Sequence, residues 1–156
     1  MPTTTYIALA TITLTQNDAA IAFASIPNTY RDLVLVGRYQ LSAGGVLVHQ
    51  FNGSSQSLSR QRLGGLASLG VYADTNSDDN IGEWNSGDDW NSIIINIMDY
   101  SVTDKHKTGL MRNDGVARTW MYAFRWASTS AVTSYTLSTN QNFISGSTFT
   151  LYGIVS

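Results

Sequence analysis

The chain of 156 residues contains no cysteine, which excludes disulfides and thiolate metal sites. Charge is scarce too: 13% of residues are Asp, Glu, Lys or Arg, against roughly 25% in an ordinary soluble domain. The formal net charge of −2 provides no basic field, so neither nucleic acid nor an anionic membrane surface is an expected partner. Long apolar runs are missing. The longest, Leu33 to Val36 and Ile93 to Ile95, fall far short of the roughly 18 residues that span a bilayer. The start, Met1-Pro2-Thr3-Thr4-Thr5, lacks a basic region followed by an apolar one, which predicts a protein made and kept in a cytoplasm. Nowhere do apolar residues recur at i, i+3, i+4 and i+7 over ten or more positions, so almost no helix is expected, and no internal repeat is visible.

In place of charge the chain carries 17 Thr, 18 Ser and 11 Asn, a polar complement suited to strand faces and turns. Short β-branched and aromatic runs alternate with Gly, Asn, Asp and Ser, the pattern of a sandwich or barrel. In Tyr6 to Thr15, Thr11, Thr13 and Thr15 alternate with Ile12 and Leu14, which predicts a half-buried strand. Strands follow at Ala20 to Ile26 and Asp32 to Tyr39, separated by a turn at Pro27, and Leu33, Leu35 and Tyr39 share one face. Val46 to Phe51 runs into Asn52-Gly53, a tight-turn dipeptide, although the polar Ser54 to Ser57 favours a longer loop before a return strand near Leu58 to Leu63. Residues 64–91 show no period and read mostly as one long surface loop, with a short strand at Leu69 to Tyr72. Ile93 to Met98 suits a central strand covered on both faces. Lys107 to Arg112 and Ala117 to Trp126 form a hairpin around Asn113-Asp114-Gly115, and Val132 to Thr139 and Thr148 to Ile154 complete the set. The expected fold is all-β: a single antiparallel, jelly-roll-like β-sandwich over 1–156 with one long loop at about 64–91.

Nucleophilic catalysis requires a Ser, Cys or Thr beside a base. His49 alternates with Leu47 and Phe51 and reads as a packed strand residue, while His106 lies between two lysines and reads as a solvated loop residue. Their separation offers no histidine metal spacing. Asp74, Asp78, Asp79, Glu83, Asp88 and Asp89 cluster in a stretch with no Lys or Arg between Arg62 and Lys105. Asp74 to Asp78 copies the first half of a calcium loop, but the sixth position is Asp79 rather than glycine and the twelfth is Asn85 rather than glutamate. Glycoside hydrolysis needs two carboxylates held at a fixed separation, which one loop preorganises poorly. Binding a glycan without cleaving it needs only stacking and hydrogen-bonding groups, and tryptophans on such a loop also suit a protein partner's pocket. Trp84, Trp90, Asp88 and Asp89 are therefore the candidate partner or glycan contacts. No catalytic, cofactor-binding or metal-binding residue is assigned. The row Trp120, Tyr122, Phe124 and Trp126 reads as sandwich core, with Arg125 on the surface. Gly44-Gly45 and Gly64-Gly65 lack the strand, loop and helix context of a phosphate cradle.

Two segments carry a resemblance. Phe23 to Gly37, with the pattern F-x-x-I-P-x-T-Y-x-D-L-V-L-V, and Gly146 to Ile154, reading G-S-T-F-x-L-Y-G-I, resemble a group of small phage virion proteins. Phe51-Asn52-Gly53 and Asp99-Tyr100-Ser101 followed by Lys105 and Lys107 are similar to that group as well. The resemblance implies a jelly-roll-like structural protein without catalytic residues or cofactor. It points to a capsid decoration or cement protein, a homotrimer on the outer surface of the virion that strengthens contacts between major capsid protein subunits. On this reading the shell contact is sought in Pro2 to Tyr6 and in the long loop. The alternative is a tail or fibre module that recognises host surface glycan through Trp84 and Trp90.

Overall fold

A computed structural model describes residues 4–55, 57–66, 70–76, 89–115 and 118–155. Its elements are β1 (Tyr6–Thr13), β2 (Asp18–Phe23), β3 (Asp32–Tyr39), β4 (Leu47–Phe51), β5 (Leu58–Leu66), β6 (Gly70–Asn76), β7 (Asn91–Met98), β8 (Lys107–Gly115), β9 (Arg118–Trp126), β10 (Tyr135–Phe143) and β11 (Thr148–Ile154). The described residues contain no helix. Eight strands form a large antiparallel sheet in the order β1-β11-β3-β7-β8-β9-β5-β6, and β2-β10-β4 form a small one. From β1 to β5 every connection crosses between sheets, which makes a jelly-roll-like sandwich with unequal layers.

The period of two in the sequence decides which side chains meet. Inward positions of the large sheet carry Leu33, Leu35, Ile93, Ile95, Ile97, Phe149, Leu151 and the row Trp120, Tyr122, Phe124 and Trp126, all buried. The small sheet answers with Ile21, Phe23, Leu47, Phe51, Tyr135 and Leu137. Phe51 stacks on Trp126 with ring centroids 5.3 Å apart and lies 5.4 Å from Tyr135. A second aromatic group joins Tyr39, Phe143 and Phe149, with Phe143 edge-on to Phe149 at 5.1 Å. Such pairs contribute about 0.5–1.5 kcal/mol each beyond their buried area. Gly37 makes room for the second group, because a Cβ there would come 2.6 Å from the Phe149 ring.

Several expectations change. Asn52 and Gly53 do form a tight turn, with φ of 52° and 77° and reciprocal backbone bonds between Phe51 and Ser54. The strand that follows does not return beside β4, however: β5 joins β9 and β6 in the large sheet, while β4 pairs with β10. Residues 64–66 and 73–76, expected in the long loop, belong to paired strands, and residues 70–72 of the short strand expected at Leu69 to Tyr72 are the start of β6. Asn113-Asp114-Gly115 is not a turn but the end of β8, opposite Trp120, Thr119 and Arg118. Finally, β7 is central yet covered on one face only, since Ile93, Ile95 and Ile97 are buried while Ile94 is half-buried and Met98 exposed.

Candidate interaction surface

The two main segments that carry the resemblance lie side by side along β3 and β11, and several of their residues meet the Asp99–Tyr100 segment at one end of the sandwich. β3 and β11 are paired neighbours, with Leu35 opposite Leu151 and Gly37 opposite Phe149. Ahead of β3, the Tyr30 ring fills the space that a side chain at Gly153 would need, and the Arg31 amide donates to the Ile154 carbonyl at 2.9 Å. The Tyr100 hydroxyl donates to the Pro27 carbonyl, and the Asp99 amide donates to Asp32 Oδ1 at 2.9 Å. Lys105 pairs with Asp99 at 2.8 Å. Asn52 Oδ1 accepts from the Thr133 and Ser134 amides while its Nδ2 donates to the Ala131 carbonyl, which fixes the chain ahead of β10.

Two ionisable groups are locked into this frame. His49 is buried among Phe51, Phe124 and Tyr135, as its alternation in the sequence indicated, and Nδ1 shares a hydrogen bond with the Tyr135 hydroxyl. Its Nε2 has no partner among the described residues. Burial holds the imidazole well below its usual value of 6.5 and raises the Tyr135 phenol, so both rings are neutral core groups. Lys107, also buried, directs its ammonium at three carbonyl oxygens: Val102 at 2.5 Å, Lys105 at 3.1 Å and Thr129 at 3.2 Å. Desolvation lowers its pKa, opposed by the nearby Asp104 and Asp99. His106 is exposed in the loop before β8, as expected. No cluster of three His, Cys, Asp or Glu able to hold a metal occurs among the described residues.

Of the four residues singled out as contacts, Trp84 and Asp88 lie outside the described residues, as do Asp78, Asp79 and Glu83. Asp89 and Trp90 directly precede β7. Trp90 is partly exposed, but the Arg38 guanidinium lies 3.9 Å from its ring centroid, so one stacking face of the indole is occupied. The Asn91 amide holds the Asp89 carbonyl at 2.9 Å, which fixes the entry to the strand.

The sequence reading missed the outer face of the large sheet. Cross-strand partners line up there in four rows. The first is Arg38, Ser92, Asp114 and Thr119; the second is Val36, Ile94, Arg112, Met121 and Leu63. The third is Val34, Asn96, Leu110, Ala123 and Gln61, and the fourth Met98, Thr108, Arg125 and Ser59. Met121 is 56% exposed, Leu110 51%, Leu63 49% and Val36 41%. Arg112 and Arg125 have no ion-pair partner among the described residues. Two shallow grooves cross the face, one of about 410 Å³ bordered by Leu110 and Arg125 and one of about 370 Å³ bordered by Arg112 and Asp114. The signal was available in the sequence: in β9 and β8 apolar residues occupy the outward parity as well as the inward one.

No family model matches the chain, and no curated protein matches it either. Among solved structures it is similar to the marine PL-14 alginate lyase from Aplysia kurodai, with a TM-score of 0.38 and 11% identity over 84% of this chain and 72% of that one. A likeness of that degree carries no argument about function.

Proposed function

We propose that this chain is a non-enzymatic virion structural protein, a capsid decoration or cement protein that binds the outside of the shell and stabilises contacts between major capsid protein subunits. The observation that carries the reading is the contact between the resembling segments. Pro27, Tyr30, Asp32, Asp99, Tyr100 and Ile154, far apart in the chain, are joined by hydrogen bonds and packing at one end of the sandwich. Segments that resemble one family and also touch one another behave as a single inherited scaffold rather than as scattered coincidences. A scaffold does not fix a function, and two further features lend weight to a binding role. His49 and Lys107, which could otherwise serve proton transfer, are committed to packing and to backbone carbonyls. The exposed apolar row on the large sheet has the character of a contact surface.

On this reading the shell contact includes the rim of β1, an edge strand on which Tyr6 is 55% exposed and meets Tyr152 edge-on at 6.1 Å. Electron cryomicroscopy of intact particles tests the proposal. Many copies at symmetric positions on the shell are expected; a few copies confined to the tail would transfer the protein to the receptor-binding class, and none at all would remove it from the virion.

A further inference from the structure

We infer that the outer face of the large sheet is a self-association surface, on which a second copy of the chain packs face to face about a two-fold axis running across the strands. The inference goes beyond the decoration reading and stands without it. Its starting point is composition. Among Ser, Thr, Asn, Gln and a single Asp, the four rows present Val36, Ile94, Leu63, Leu110, Met98, Met121 and three arginines, with no Lys and no Glu, and Met and Arg are residues that interfaces favour. Five strands by four rows give a footprint of roughly 600 Å² per copy at ordinary strand spacing, before side-chain relief is added. A stable interface buries about 800 Å² per partner, so the face is close to the required size.

The charges select the axis. A two-fold axis along the strands would set each row against itself, with Arg112 facing Arg112 and Asp114 facing Asp114 across β8. An axis across the strands inverts the rows. The second row then covers the third, so that Met121 lies over the small Ala123 and Leu110 lies over the stem of Arg112. The first row covers the fourth, so that Asp114 lies over Thr108. Thr108 pairs directly with Arg125 on the neighbouring strand, one strand spacing away and within reach of an arginine side chain. Symmetry repeats the pair, so each copy offers one acid and one base to its partner. Asp114 is held ready, because its Oδ1 accepts from the Ser92 amide at 3.0 Å and the Ser92 hydroxyl at 2.6 Å. A two-fold pair differs from the three-fold assembly that the resemblance implies, and the mass of the species in solution tells them apart.

Sedimentation of the full chain in solution tests this. A species of twice the 17.0 kDa chain mass is expected at tens of micromolar. Leu110→Asp should weaken association at least about tenfold. Asp114→Arg and Arg125→Asp should each weaken it by a similar factor, whereas the two together should restore it to within about threefold of the parent, the signature of a direct pair. Far-UV circular dichroism of each variant checks that the outward substitutions leave the fold intact, and Asp114→Asn removes the charge while keeping an acceptor for Ser92. A monomer at about 100 μM, a trimer mass, a dimer indifferent to Leu110→Asp, or a double variant no tighter than the singles would each overturn the inference. A dimer absent from particles would count against decoration alone, and a monomer present on particles against the pair alone.

Discussion

The ring of Tyr30 occupies the space beside the backbone of Gly153 where any other residue would place its Cβ. This contact closes the chain entering β3 onto the closing strand, between residues more than a hundred positions apart. Gly153→Ala forces one of them to move and should cost about 2 kcal/mol, as overpacking of a tight site does. Equilibrium urea denaturation measures it, and a loss below about 0.5 kcal/mol would mean that the ring yields freely.

His49 provides a pH dependence of known sign. Its folded pKa is depressed by burial, so the unfolded chain binds a proton that the native core refuses. Its contribution is intact above the ordinary value of 6.5 and is lost as pH falls below it, with a limiting slope of about 1.4 kcal/mol per pH unit for one proton. His49→Gln should flatten stability between pH 6.5 and 5; an unchanged slope would show that His49 titrates alike in both states.

Lys107→Met keeps most of the side-chain volume but leaves the carbonyls of Val102, Lys105 and Thr129 without their shared donor. A loss of about 3 kcal/mol is expected from such abandoned acceptors. Amide exchange should rise first in 99–106 and 127–134, the two loops that the ammonium joins. Uniform loosening across all strands would contradict this.

The Arg38 guanidinium over the Trp90 ring bears on the glycan alternative. With one ring face covered, Trp90→Ala should leave glycan-array binding at background, as in the parent chain. A saccharide bound by the parent and released by Trp90→Ala would restore the receptor-binding reading.

Local periodicity foretold much of the architecture. The inward rows Trp120, Tyr122, Phe124, Trp126 and Leu33, Leu35, Tyr39 are core because a period of two leaves them no other side. Thr11 and Thr13, outward in β1 as their alternation indicated, meet Thr150 and Thr148 at 3.0 and 3.2 Å. Errors arose where partner choice is non-local. Asn52-Gly53 turned as its φ angles demand, yet nothing local says that β5 will cross to the other sheet. Asn113-Asp114-Gly115 has turn chemistry but sits opposite Thr119 and Trp120, held in the ladder by longer-range pairing with β7. Of the candidate contacts only Asp89 and Trp90 fall among the described residues, and the indole's covered face was invisible because Arg38 arrives from another strand.

The position of β11 governs when the molecule can form. This last strand lies between β1 and β3, so one side of the large sheet stays open until Thr148–Ile154 has been synthesised. During translation β1 and β3 wait as unpaired edges, and β2, with which β10 pairs, waits in the same way. Until β11 emerges, the nascent chain depends on its scarcity of long apolar runs and its threonine-rich edge to stay unaggregated.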